Sequence, residues 1–185
     1  MKSEYIDEKD VENVRERLTL AEWLPFWVML ETGLRVGDVV ALRVRDVKAD
    51  GIHYVAQKTG KPGVAKISKR LRDALPKNGR WLFPGRKGHL TRQAVWHRVK
   101  KATERAGQSC EGKSPHSFRK TFAVELYREK GFKAVQEALQ HSNAATTEIY
   151  SFADWSTGEN ANKPLLRKDM QLLVKVVLEA LGKAP

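Results

Sequence analysis

The chain has 185 residues, enough for one well-buried core and short for two domains. Apolar residues make up 41% and charged residues 30%, and no run approaches the roughly 18 apolar residues of a membrane span, so a globular chain in water is expected and a membrane partner is not. The single cysteine, Cys110, excludes an internal disulfide and an all-cysteine metal site.

Lys and Arg number 34 against 22 Asp and Glu, and the excess is concentrated. Between Lys58 and Arg105 stand fifteen basic residues and only two acidic ones, Asp73 and Glu104, while the rest is close to neutral. A basic stretch on a balanced body is the footprint of a polyanion-binding surface, and a nucleic acid is the first candidate. An acidic membrane surface competes poorly, because no amphipathic segment sets these cations opposite bulky apolar anchors. The start MKSEYIDEKD lacks the features of a secretory signal, so a reducing cytoplasm is the expected setting.

Residues 7–18 read as a short polar helix capped by Asp7. Thr19 opens the next helix, with Glu22 three residues on as its capping-box partner. That segment, LAEWLPFWVMLE, is apolar nearly all round and so belongs at the centre; Pro25 restarts or kinks it and Gly33 ends it. A short helix over 36–43 follows. Residues 51–58 and 64–67 form a hairpin across Thr59-Gly60-Lys61-Pro62-Gly63. A helix over 69–75 stops at Pro76, and Asn78 and Gly79 turn the chain. Thr91 caps an amphipathic helix to Ala106, with Val95, Val99, Ala102 and Ala106 on its apolar face. Ser114-Pro115 starts a helix that Gly131 ends. Two short helices near 132–140 and 143–150, a polar linker over 156–164 and a last helix over 165–181 complete a chain that is mainly α with a small antiparallel β-sheet.

Residues 107–114, GQSCEGKS, match the phosphate-loop pattern G-x-x-x-x-G-K-[ST] letter for letter. That loop works when a buried strand feeds it, so that backbone amides converge on phosphates at a helix start. Here the feeder is KKATERA, the charged end of an amphipathic helix, and no apolar run ending in Asp offers a Mg²⁺ ligand. The nucleotide-binding reading is set aside as coincidence.

Four further segments carry chemistry in order: Thr32-Gly33-Leu34-Arg35-Val36-Gly37-Asp38, Gln57-Lys58-Thr59-Gly60-Lys61, His116-Ser117-Phe118-Arg119, and residues 139–150 from Leu139-Gln140-His141 to Ile149-Tyr150. Together they resemble the signature boxes of the tyrosine recombinases, the phage-integrase type, over residues 19 to 155. The resemblance implies that family's catalytic-domain fold, with residues 1–155 as catalytic core. It implies cleavage and rejoining of double-stranded DNA through a 3′-phosphotyrosine, and a homotetramer on DNA, with a monomer as one option for the free chain. The family's N-terminal core-binding domain is missing from this sequence, and the last helix, 165–185 with its tail, is placed to dock on a neighbouring protomer or on its own domain.

The residue types suit that chemistry. A phosphodiester under attack spreads charge over its non-bridging oxygens, and two guanidiniums, Arg35 and Arg119, match it bidentately at any working pH. Tyr150 is the implied nucleophile and needs a base or a cationic pocket, since a phenol ionises near ~10. His116 titrates near neutrality and can move a proton. His141 fits as a hydrogen-bond donor to phosphate. Lys58 is the implied general acid for the departing 5′-oxygen, with Lys61 as the alternative. Asp38 braces rather than reacts. Lys61, Arg92, Arg98, Lys100 and Lys101 are candidate DNA contacts. No metal or other cofactor is called for, because the arginines supply the charge and the phosphotyrosine conserves the bond energy. Taken singly, each arginine reads as a surface cation and Tyr150 as a ring closing a helix. Asp38 stands where the family commonly has Glu, Phe118 where it has Leu, and Gln140 where Gly often precedes the histidine. A catalytically inactive DNA-binding relative is the alternative, disfavoured because all six reactive positions hold competent side chains.

Overall fold

The computed structural model describes Ile6, residues 8–107 and residues 109–139. His141, Tyr150, the helix at 143–150, the linker and the last helix lie outside the described residues. Contacts group residues 1–122 into one compact unit and those from Ala123 onward into a second.

The first unit is built on α2 (Leu20–Thr32). Its capping box is complete: Thr19 Oγ1 accepts from the Glu22 amide at 3.3 Å, and Glu22 Oε2 accepts from the Thr19 amide at 3.1 Å. The helix passes through Pro25 uninterrupted, and Trp23, Leu24, Phe26, Val28 and Met29 are buried. Trp23 and Phe26 meet Phe118, the latter at 4.9 Å between centroids. Burying three such rings is a large apolar contribution, with roughly 0.5–1.5 kcal/mol more per pair from ring geometry. This contact seats the start of α6 (Pro115–Ala138) on α2.

Several elements end earlier than their sequence pattern, the second hairpin strand among them, which runs Pro62–Ala65 rather than 64–67 because Pro62 and Gly63 already pair with Val55 and Tyr54. The first helix, α1, spans Glu8–Arg15 rather than running to residue 18. Arg17 and Leu18 bond only three residues back, the tightened last turn of a helix end. α3 spans Val36–Val40 rather than 36–43, because Leu42 accepts from the Leu82 amide and Arg43 pairs with Trp81. The first hairpin strand stops at Val55, not residue 58, because the Ala56 carbonyl already closes a turn, accepting from Thr59 at 3.1 Å and Gly60 at 2.7 Å.

The sheet is antiparallel in the order β1 (Val47–Lys48), β2 (Gly51–Val55), β3 (Pro62–Ala65), with Val47 opposite Ile52 and Val55 opposite Pro62. After α4 (Lys69–Ala74), a two-residue ribbon forms from β4 (Pro84–Gly85) and β5 (Gly88–His89). A Cβ on Gly85 would lie 2.6 Å from the His89 carbonyl oxygen, so the tight ribbon requires glycine there. Thr91 caps α5 (Arg92–Arg105) as expected, with Val95, Val99 and Ala102 fully buried. α6 crosses Gly131 at φ 76° and ψ −177°, which is not helical. The expected break at this glycine is therefore present. Val124, Val135 and Leu139 are buried beyond Phe122.

Candidate active site

Gly33 organises the two arginines. It closes α2 in the left-handed region at φ 63°, its amide returning to the Met29 carbonyl at 2.9 Å. Thr32 braces the turn, its hydroxyl donating to the Val28 carbonyl at 2.5 Å and accepting from the Leu34 amide at 3.3 Å. Two residues past Gly33, Arg35 stands in extended conformation at the start of α3, half-buried. Among the described residues no acceptor meets its guanidinium. From the other side, Arg119 Nη1 donates to the Gly33 carbonyl. Arg119 is only 3% exposed, so its charge rests inside the protein beside that turn.

His116 sits one turn before Arg119 on α6, with its side chain open to solvent. Its pKa is nonetheless lowered from 6.5, first by desolvation, then by the charges of Arg119, Lys120 and Arg35. Those three cations thus add to desolvation in disfavouring the protonated imidazole. Lys120 is itself buried, at 7% exposure. Its position four residues after His116 was the available signal for it, and the sequence reading passed over it.

Asp38 makes a specific contact across to the lysine turn. Its carboxylate is 5% exposed and accepts from the Gln57 amide at 2.9 Å. The Gln57 side chain in turn donates to the Gly37 carbonyl at 3.1 Å. A Cβ at Gly37 would come within 3.1 Å of Gln57 Oε1, so glycine permits the close approach. Lys58 and Lys61 follow directly, both exposed, on a turn closed by the Ala56 amide and the Lys61 carbonyl at 2.9 Å. Lys58 therefore lies in the turn rather than at a strand end, and α3 anchors the base of that turn.

Beside it, Gly37, Gln57, His89, Thr91 and Arg92 line a cleft of about 560 Å³. The α5 cations do not form one patch. At 100° per residue, Arg92 and Lys100 flank the buried stripe on one side, and Arg98 and Lys101 on the other. Lys100 lies 5.7 Å from the Trp96 ring and 3.8 Å from Glu104. Burial lowers the Arg98 pKa while the charge of Glu22 opposes the shift. Lys101 and Arg92 are exposed.

The motif at residues 107–114 is fed by α5, not by a strand, and Lys113 is held by Asp10 at 2.6 Å. Both observations go against a phosphate loop.

The phage integrase family model matches residues 5–155. The chain belongs to this family. It is 33% identical over 136 residues to the tyrosine recombinase XerD of Brucella abortus biovar 1 (strain 9-941), covering 65% of this chain and 44% of that protein. The Yersinia pestis tyrosine recombinase XerD is 31% identical over 155 residues, covering 75% and 52%. The chain thus spans about half the length of the curated relatives it matches. Among solved structures, the catalytic domain of bacteriophage HP1 integrase aligns at a TM-score of 0.65 and 25% identity, covering 89% of this chain and 97% of that one. Lambda integrase residues 75–356 bound to DNA align at a TM-score of 0.70 and 17% identity, covering 90% and 65%, a likeness of fold alone. The fold is that of a tyrosine recombinase catalytic domain. Among the described residues no helix is long and apolar enough to cross a membrane.

Proposed function

We propose that this chain carries the catalytic domain of a site-specific DNA recombinase, cutting and rejoining double-stranded DNA through a covalent tyrosyl phosphate. The Tyr150 phenol oxygen attacks the scissile phosphorus, and its proton passes to the neutral His116. The P–O5′ bond breaks, and Lys58 supplies the proton that leaves a 5′-hydroxyl. Arg35, Arg119 and His141 take the charge on the non-bridging oxygens. Reversal with a different 5′-hydroxyl completes strand exchange without ATP. Lys61, Arg92, Arg98, Lys100 and Lys101 contact DNA beyond the reacting phosphate. A tetramer assembles on the paired sites, in the cytoplasm of a bacterium or phage-infected cell.

One observation carries the reading: Arg119 bonds the Gly33 carbonyl two residues before Arg35, and the charges of both arginines act with Lys120 on the imidazole of His116. Such a cluster suits an anion with a proton acceptor beside it, which supports the reading. The XerD relatives are named tyrosine recombinases, and lambda integrase residues 75–356 are bound to DNA in the structure that shares this fold, which supports the reading.

The test is a pool of nicked duplexes with randomised core sequence, in which a cleaved strand cannot religate. A detergent-stable protein–DNA adduct that disappears in Tyr150→Phe is expected. Duplex binding with no adduct from the wild-type chain would favour the inactive DNA-binding relative instead.

A further inference from the structure

A second group of cations stands outside the reacting centre, on an aromatic platform. Trp81 pairs with Arg43 as an antiparallel bridge and is flanked by Arg80. The Cζ atoms of Arg43 and Arg80 each lie 5.2 Å from the Trp81 ring, and the His89 ring meets it edge-on at 5.0 Å. Backbone bonds fix the platform: the Val44 amide donates to the Arg80 carbonyl at 3.3 Å, and the Leu82 amide to the Leu42 carbonyl at 2.9 Å.

Among the described residues neither guanidinium has a carboxylate within ion-pair distance. The Asp46 carboxylate instead accepts from the Arg43 main-chain amide at 2.8 Å. Both guanidiniums are held against one ring, which restricts their freedom, so an anion that meets them is bound at small entropic cost. The position suits a polyanion already bound at the active site. His89 lines the same cleft as Gln57 and Arg92, next to the lysine turn, and the exposed Arg86 and Lys87 occupy the adjoining ribbon turn.

We infer that Arg43 and Arg80, braced on Trp81, clamp a backbone phosphate of duplex DNA away from the scissile position. This rests on the function proposed above. The contact sets register on the duplex and reads no sequence.

The experiment measures affinity of the full chain for two unrelated mixed-sequence duplexes across a salt series. Each phosphate contact to B-DNA adds about 0.9 to the log–log slope. Arg43→Gln/Arg80→Gln is expected to lower that slope by about one and affinity by roughly three- to ten-fold, equally on both duplexes. Arg80→Gln alone, at an exposed position, should show a smaller loss in the same direction. Arg15→Gln/Lys69→Gln removes the same charge elsewhere and should leave the slope in place. A double variant with the wild-type slope overturns the inference, as does an equal fall in the control. The adduct assay separates the two readings: adduct without a slope change sinks the clamp alone, and a slope change without adduct sinks the proposed reaction alone.

Discussion

The Asp38 carboxylate accepts a 2.9 Å hydrogen bond from the Gln57 amide, nineteen residues further along the chain. The helix that follows Arg35 and the turn that carries Lys58 are therefore tethered at one point. Asp38→Ala should remove the acceptor and cost roughly 1–3 kcal/mol in unfolding free energy. The rate of adduct formation should fall at least ten-fold with duplex affinity unchanged, since a misplaced proton donor slows chemistry rather than binding. Asp38→Asn retains an acceptor oxygen and should restore most of the rate. An Asn variant as slow as the Ala variant would show that charge, not the tether, is what acts.

His116 supplies a pH prediction. Its folded pKa lies below the ordinary 6.5, so the unfolded chain binds more protons there. Its stability contribution is full above pH 6.5 and is lost as pH falls towards and through the folded value. His116→Gln should flatten that part of the pH–stability curve. Lys120→Met removes one of the charges acting on the ring, so the His116 titration followed by NMR should move up towards 6.5. No movement would mean that the Lys120 charge does not contribute to the shift.

Lys113 distinguishes a phosphate loop from a structural tie. It sits 14% exposed against Asp10, 25% exposed. Lys113→Met should cost roughly 1–3 kcal/mol by removing a charge-assisted hydrogen bond to a partly buried carboxylate. Mg-ATP should not raise the Tm of the wild-type chain; a rise that vanishes in Lys113→Met would revive nucleotide binding.

Gly131 is a purely backbone prediction. A Cβ there would meet nothing within 4 Å, yet φ 76° with ψ −177° is a conformation almost confined to glycine. Gly131→Ala should cost about 1–3 kcal/mol in chemical denaturation despite the open space.

Much of this was legible in the sequence. Thr19 with Glu22, Thr91 and Gly33 mark helix ends by local chemistry, and α2 declares its burial by being apolar on every side. Gly131 marked the break in α6. The misses have a physical pattern. β1, β4 and β5 span two residues each, too short for any alternation to register. The early end of β2 depends on the Ala56 carbonyl choosing turn partners, a choice made by the loop and not by the apolar pattern. The partner of Asp38, the Gln57 amide, lies beyond any local spacing rule. The division of the α5 cations between two flanks follows from helix geometry and was there to be counted.

Gly33 has a consequence for how such a protein can change over time. One residue terminates α2, sets the path to Arg35 and presents the carbonyl that receives Arg119. A change in that turn would move the path to Arg35 and the acceptor of Arg119 together, so the two arginines cannot drift independently through it. On the function proposed above, preference for one stretch of DNA over another is left to diverge on surfaces such as α5, where a side chain can be exchanged without touching that shared turn.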